Sequence, residues 1–182
     1  MARRSSAETK ATILAAARER FAAEGYDRAT IRAIAADAAI DPSMVMRYFG
    51  NKEGLFTAAA DFDLRLPDVA ALPRDQVGTT LARHFLLRWE EDEGMMVLLR
   101  TAVTSEVAVE RMRQIMAEQL APVVRRLVPD PEEAALRMGL VITQILGMAL
   151  CRYVLRLPPV AALTHDQIVT WLGPTLQRYL TA

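Results

Sequence analysis

Cysteine is nearly absent: Cys151 stands alone, so no internal disulfide can form, and a reducing cytoplasm is the expected home. Histidine is as scarce, with only His84 and His165, and there are four serines. No GxSxG elbow, HExxH helix, phosphate-cradling glycine loop or dinucleotide fingerprint occurs. His84 has no acid or nucleophile one helical turn away except Thr80, so neither an enzyme nor a cofactor is expected. The run Glu90-Glu91-Asp92-Glu93 lacks a nearby His or Cys and points its carboxylates different ways round a helix; a solvated helix end is expected there, not a metal site. Net charge is also lacking, 22 Lys and Arg standing against 22 Asp and Glu. A non-specific DNA-coating protein needs many more cations than that. Long apolar runs are missing too: fourteen residues between Arg137 and Arg152, Thr143 and Gln144 among them, are too few to span a bilayer. They suggest a buried or interface helix and no membrane, and the polar start MARRSSAETK lacks a signal peptide's apolar region.

What the chain does have is concentrated in Thr30 to Leu55, TIRAIAADAAIDPSMVMRYFGNKEGL. Thr30 can cap a helix whose Ile31, Ile34, Ala35 and Ala38 share an apolar face, and Asp41 followed by Pro42 starts another. About three residues separate the two. That spacing predicts a helix-turn-helix, in which the second helix is presented to a DNA major groove. Asn51 can cap a third helix with Lys52 in its first turn; Arg32 occupies the first turn after Thr30, with Arg28 just upstream. A cation at the positive end of a helix dipole costs about 0.3–1 kcal/mol unless an anion joins it, so two such starts suggest two phosphate clamps. Between them, Ser43, Met44, Arg47 and Tyr48 are expected to face outward while Val45 and Phe49 pack inward. Arg47 suits a base contact, since guanidinium can pair bidentately with guanine, though it suits a phosphate equally. Ahead of the first helix, Arg3 and Arg4 precede a capping box, Ser5-x-x-Glu8, and can either reach a minor groove or remain a loose arm.

From Thr9 to Leu55 the chain resembles the DNA-binding domain of the TetR (tetracycline-repressor) family of transcriptional regulators. The resemblance rests on Ile13, Leu14, Ala16, Ala17, Phe21, Gly25-Tyr26, Thr30, Ile34-Ala35, Ala38, Tyr48-Phe49, Lys52-Glu53 and Leu55. It implies a three-helix head, a helical regulatory domain, a homodimer, and DNA binding controlled by a ligand. It also implies a phosphate contact for the Tyr48 hydroxyl. Two positions depart from the pattern. Ala39 replaces the usual turn glycine, at a cost of roughly 1 kcal/mol if the backbone is left-handed there. Met46 replaces a tyrosine, leaving apolar contact with a thymine methyl as its available role.

The expected architecture is all-α: a helix-turn-helix head over residues 1–50, then a helical ligand-binding and dimerisation bundle over 51–182, with a connecting helix at about 52–65. Beyond the Pro-containing linker at 66–73, helices are predicted near 75–91, 95–104, 107–127, 131–156 and 165–181. In the fourth of these Gly139, Thr143, Gly147 and Cys151 recur every four residues, a stripe of small side chains that admits a close neighbour. In the last, Ile168, Leu172, Thr175, Leu176 and Tyr179 form a second stripe. The pair is expected to meet its copies in a second chain, as the resemblance also implies, or else to be spent inside one monomer. Phe62, Phe85, Trp89, Met96, Leu99, Val103, Met112, Met116 and Met138 are candidates to line a pocket for a small apolar effector, or are simply core. The partners expected are therefore a double-stranded DNA operator, a second copy, and an apolar effector that releases a repressor from a palindromic site. The alternatives are a DNA-binding regulator without a ligand and a non-specific DNA binder.

Overall fold

The computed structural model describes residues 5–181, and among these every regular element is helical. The α-helices are α1 (Ser6–Arg28), α2 (Ile31–Asp37), α3 (Pro42–Phe49), α4 (Lys52–Ala59), α5 (Val77–Glu91), α6 (Glu93–Thr101), α7 (Glu106–Ile115), α8 (Ala121–Leu127), α9 (Pro131–Ala149), α10 (Pro158–Ala161) and α11 (His165–Thr181). Two π-helical segments, Met116–Leu120 and Leu150–Val154, continue α7 and α9. Arg3 and Arg4 lie outside the described residues. The chain forms two compact units: the N-terminal segment through Phe62 with Glu93–Met112, and Asp63–Asp92 with Arg113 to the C-terminus.

In the first unit α1 packs against α2, α4 and α6. Its start is the expected capping box, with the Glu8 N–H donating to Ser5 Oγ at 3.2 Å and the Ser5 N–H to Glu8 Oε2 at 2.7 Å. Gly25 interrupts it at φ 79°, ψ 170°, and one more turn follows before Ala29. Ile13, Ala17, Phe21, Ile34, Ala35, Val45, Leu55 and Phe56 are fully buried. Phe21 and Tyr26 both meet Phe56 edge-on, with centroids 5.0 and 5.1 Å apart. Such aromatic edges add about 0.5–1.5 kcal/mol beyond the area they bury.

Helix α4 is shorter than the connecting helix expected over 52–65: it ends at Ala59, and 61–68 is not helical. The main-chain groups a longer helix would have paired internally are taken by side chains distant in sequence, among them Gln119, His84 and Arg88.

In the second unit α5 and α11 run in opposite directions at close range, because glycines line the crossing. A Cβ on Gly78 would lie 2.3 Å from the Gly173 carbonyl oxygen. The apolar faces of both helices are consumed here, including Val77, Leu81, Phe85, Ile168, Leu172 and Leu176. Helix α9, capped by Asp130 with Pro131 at its first turn, packs on α8, α11 and α5. With its π continuation it runs from Pro131 to Val154, 24 residues with a mean hydropathy of 1.7 in its most apolar window. By length and composition alone it is able to cross a membrane, yet only 22% of that window is buried. Counting from Arg137 to Arg152 understated this apolar length, because both guanidiniums turn aside. Arg137 bonds Glu133 and the Tyr179 carbonyl; Arg152 bonds the carbonyls of Val160 and Leu163.

Candidate nucleic-acid interface

The turn between α2 and α3 closes through Ala39, whose φ of 51° is left-handed. The strain anticipated for an alanine there is present, at roughly 1 kcal/mol. Asp41 then caps α3, accepting from the Ser43 N–H at 2.8 Å, and its bonds with Ser43 hold its carboxyl below the usual aspartate range. A carboxylate thus occupies the entrance of α3.

Helix α3 buries Val45 and exposes Ser43, Met46 and Arg47; Met44, Tyr48 and Phe49 are half-buried, so Met44 and Phe49 sit between the outward and inward places expected for them. Among the described residues Arg47 has no hydrogen-bond or ion-pair partner, and neither has Arg32 on the first turn of α2. Thr30 caps α2 through the Ala33 N–H at 3.1 Å, which leaves its hydroxyl proton available.

Lys52 is held. It donates to the Asp27 carbonyl at 2.9 Å, and its ammonium lies 4.6 Å from the Tyr26 ring centre. Thr30 follows Asp27 by three residues, at most about 10 Å of chain. The starts of α2 and α4 therefore share one end of the unit. Burial pushes the Tyr26 phenol above its ordinary range, with Glu53 and Asp27 adding to the effect. At the α3–α4 junction Gly50 takes a positive φ of 77°, and a Cβ on Gly54 would lie 2.2 Å from the Phe49 carbonyl oxygen, so only glycine fits. Lys10, which sequence reasoning passed over, places its ammonium 5.5 Å from the centre of the Tyr48 ring. No local signal marks it, since the two residues meet only through the fold.

Two family models match. One, described as bacterial regulatory proteins, tetR family, covers residues 13–59; the other, tetracyclin repressor-like, C-terminal domain, covers 75–180, more than half of the chain. The chain belongs to the TetR family. It is a DNA-binding regulator of transcription and not an enzyme. Among solved structures it resembles a TetR-family regulator from Streptomyces coelicolor A3, with 29% identity, TM-score 0.71 and 100% of both chains covered. A TetR-like transcriptional regulator from Rhodococcus sp. RHA1 follows at 20% identity and TM-score 0.67, covering 97% of each chain. The fatty acid degradation regulator FadR from Bacillus halodurans shares the fold at 15% identity and TM-score 0.66, over 92% of this chain and 97% of its own. No curated protein matches in sequence.

In this TetR-family chain the two stripes proposed for dimerisation have different fates. On α9, Gly139, Thr143 and Gly147 are exposed, a Cβ on either glycine would meet nothing within 4 Å, and Cys151 is half-buried. Leu136 beside them is 63% exposed. On α11, Ile168, Leu172 and Leu176 are instead buried against the unit's own core, and Thr175 and Tyr179 are half-buried. This corrects the second stripe: close packing on α5 turns it inward, and the outward face of α11 carries Trp171, 81% exposed.

The nine candidate pocket residues do not converge. Phe62, Met96, Leu99, Val103 and Met112 belong to the first unit, and Phe85, Trp89, Met116 and Met138 to the second. Val103 follows α6 in a turn and is 70% exposed, which removes it as a lining residue. Phe85 and Trp89, with Ile145, Met148, Tyr153 and Leu172, enclose ≈ 10 Å³, about the room one water needs. Met138 edges a separate shallow groove of ≈ 420 Å³ beside Arg125 and Pro131, and Met96 another of ≈ 340 Å³ beside Arg18 and Arg100.

At the rim of the small cavity the acidic run is not simply solvated. Glu90 Oε1 accepts from the Tyr153 hydroxyl and pairs with His165 Nε2, both at 2.9 Å. Burial works to raise the Glu90 carboxyl, but the bonds from His165 and Tyr153 win and hold it below its usual range. Burial and the same Glu90 contact push the Tyr153 phenol up to about 12. Glu91 and Asp92 pair with the buried Arg88. Among the described residues no group of three His, Cys, Asp or Glu is placed to hold a metal.

Proposed function

We propose that the protein is a homodimeric repressor that recognises a palindromic operator and releases it when a small apolar molecule binds the body. The observation that carries recognition is the free outward face of α3, Ser43, Met46 and Arg47, beside a lysine held at the same end of the unit as the start of α2. One eight-residue helix reads too few base pairs for specificity, so two copies related by a two-fold axis are required. Support for the dimer is the sparsely buried apolar length of α9, with Leu136, Leu140 and an open glycine stripe, together with Trp171 on α11.

The effector reading rests on family membership and on the apolar cavity beside Phe85 and Trp89. At ≈ 10 Å³ that cavity admits a ligand only in an expanded form of the body, so the ligand must select a minor state. Full release then needs a difference in affinity of several kcal/mol between the two states.

Selection of bound duplexes from a random library at about 150 mM salt tests recognition. A two-fold symmetric consensus is the expected outcome; enrichment of nothing, or of an unsymmetric site, overturns it. Thermal-shift screening of small apolar compounds, followed by mobility shift on the selected operator, tests the switch. Compounds that stabilise the protein yet leave operator binding intact count against it.

A further inference from the structure

The cations on α1 to α4 divide into those spent inside the first unit and those left open. Arg18 and Arg28 each give an Nε–H to a main-chain carbonyl, of Ala59 and of Glu24, at 3.0 Å. Arg20 is spent on Glu24 and Asp37, and Lys52 gives an N–H to the Asp27 carbonyl. Lys10, Arg32 and Arg47 are exposed, and among the described residues none of the three has a hydrogen-bond or ion-pair partner. Arg32 and Arg47 belong to the helix-turn-helix. Lys10 lies outside it, in the second turn of α1, yet the fold brings its ammonium to α3, 5.5 Å from the centre of the Tyr48 ring.

Nothing beside Lys10 on its own helix answers its charge. One turn away on either side stand Ser6, Ala7, Ile13 and Leu14, none of them an acid. Glu8, the nearest carboxylate in sequence, accepts from the Ser5 N–H at the start of the helix. The Tyr48 ring attracts the ammonium without neutralising it and leaves its N–H donors open. Tyr48 is half-buried, and its hydroxyl has no hydrogen-bond partner among the described residues either. A charged donor and a neutral one thus stand at the same ring, next in sequence to the exposed Arg47. A lysine already directed by a ring loses less freedom on meeting an anion than a solvated one, and its bond to that anion is charge-assisted.

We propose that Lys10 and Tyr48 form a clamp on the DNA backbone, which brings α1 into the interface. The ammonium meets a phosphate, and the phenol donates to the same phosphate or to the next one on that strand. The clamp reads no base; it fixes the register of α3 and adds affinity. It requires duplex binding by the first unit and does not require the two-fold operator proposed above.

The test uses the full chain with Lys10→Met, Lys10→Arg, Tyr48→Phe and the double variant Lys10→Met with Tyr48→Phe. Affinity for the selected operator is measured over a salt series, and the duplex selection is repeated with Lys10→Met. Lys10→Met is expected to bind about fivefold more weakly at about 150 mM salt, to lower the slope of log affinity against log salt by about 0.9 for each bound copy, and to select the same consensus. Lys10→Arg is expected to restore the slope, because it keeps the charge and stacks on the same ring. Tyr48→Phe keeps the ring and is expected to lose about fivefold with the slope unchanged, and the double variant to lose less than the product of the two single losses. An unchanged slope in Lys10→Met overturns the phosphate contact and leaves the lysine a brace for Tyr48. Losses that multiply in the double variant overturn the shared clamp. A wild-type protein that enriches no site overturns the operator reading instead, and the same salt series on the unselected library then decides Lys10 by the same slope.

Discussion

The ammonium of Lys52 lies over the ring of Tyr26, 4.6 Å from its centre. With one N–H given to the Asp27 carbonyl, the lysine is fixed in direction and keeps donors to spare. A side chain already ordered in the free protein loses less freedom on meeting a phosphate than a solvated one. Lys52→Met is therefore expected to weaken binding to every duplex alike and to lower the slope of log affinity against log salt by about 1. An unchanged slope with reduced thermal stability would show that the lysine serves only Tyr26 and Asp27.

Arg47 presents the opposite case. It is exposed and unpaired among the described residues, on the face of α3 that Val45 turns away from the core. Arg47→Ala is expected to cost about 1–3 kcal/mol of discrimination at one base pair of the half-site, with the other positions unchanged. Repeating the duplex selection with the variant checks this: a consensus that keeps all its positions means the guanidinium holds a phosphate.

How much of this was legible in the chain follows from how far each signal reaches. Ser5 with Glu8, Thr30, Asp41-Pro42, Asn51, Asp130-Pro131 and Thr164 with Gln167 are all caps made within four residues, and each is formed. The turn at Ala39 was equally local. The early end of α4 was not, because the groups that replace its helical bonds, Gln119, His84 and Arg88, come from far along the chain. Periodicity found the apolar stripe of α11 without saying which neighbour covers it, and α5 does so through Gly78 and Gly173. The acidic run looked solvated because Tyr153 and His165, which bond Glu90, lie more than sixty residues away. The pocket candidates were grouped by composition, whereas Glu93–Met112 packs with the N-terminal segment.

The α5–α11 crossing carries a sharp stability prediction. A methyl on Gly78 would collide with main chain, the Gly173 oxygen at 2.3 Å and the Gln177 nitrogen at 2.4 Å, which no rotamer change relieves. On Gly173 the nearest atoms would be Thr79 Cα and Oγ1 at 3.1 Å, a contact that a small shift absorbs. Gly78→Ala is expected to cost about 3 kcal/mol or more and Gly173→Ala about 1. Equal midpoints in urea for the two variants would mean the helices are not held this close.

Acid stability follows from Arg20 and Asp37. The guanidinium of Arg20 on α1 clamps the carboxylate at the end of α2, with Nε to Oδ2 at 2.8 Å and a second nitrogen to Oδ1 at 2.6 Å. This bond holds Asp37 below the ordinary aspartate range. A carboxyl whose folded pKa is depressed contributes stability that is complete above its unfolded value of about 3.9 and lost as pH falls through the folded one. Asp37→Asn is therefore expected to melt below the wild type at neutral pH, with the gap closing as the pH drops beneath about 4. The pair is exposed, so the gap is small. Melting curves over a pH series check it; a gap that persists in acid assigns the loss to packing.

The two faces of the dimerisation reading separate by mutation, because one is buried in the monomer and the other is not. Leu172 is 8% exposed, so Leu172→Ala opens a cavity and is expected to destabilise by about 2–5 kcal/mol at every protein concentration. Leu140 stands beside the open glycine stripe of α9 and is 39% exposed. Leu140→Glu adds a charge that the monomer can solvate and a second copy cannot. It is expected to leave the helical content intact, shift the mass seen by light scattering from two chains to one at micromolar concentration, and abolish binding to the full operator while a half-site is still bound weakly. If Leu140→Glu scatters as a dimer and Trp171→Glu does as well, the interface lies on some other face and the α9 stripe has no partner.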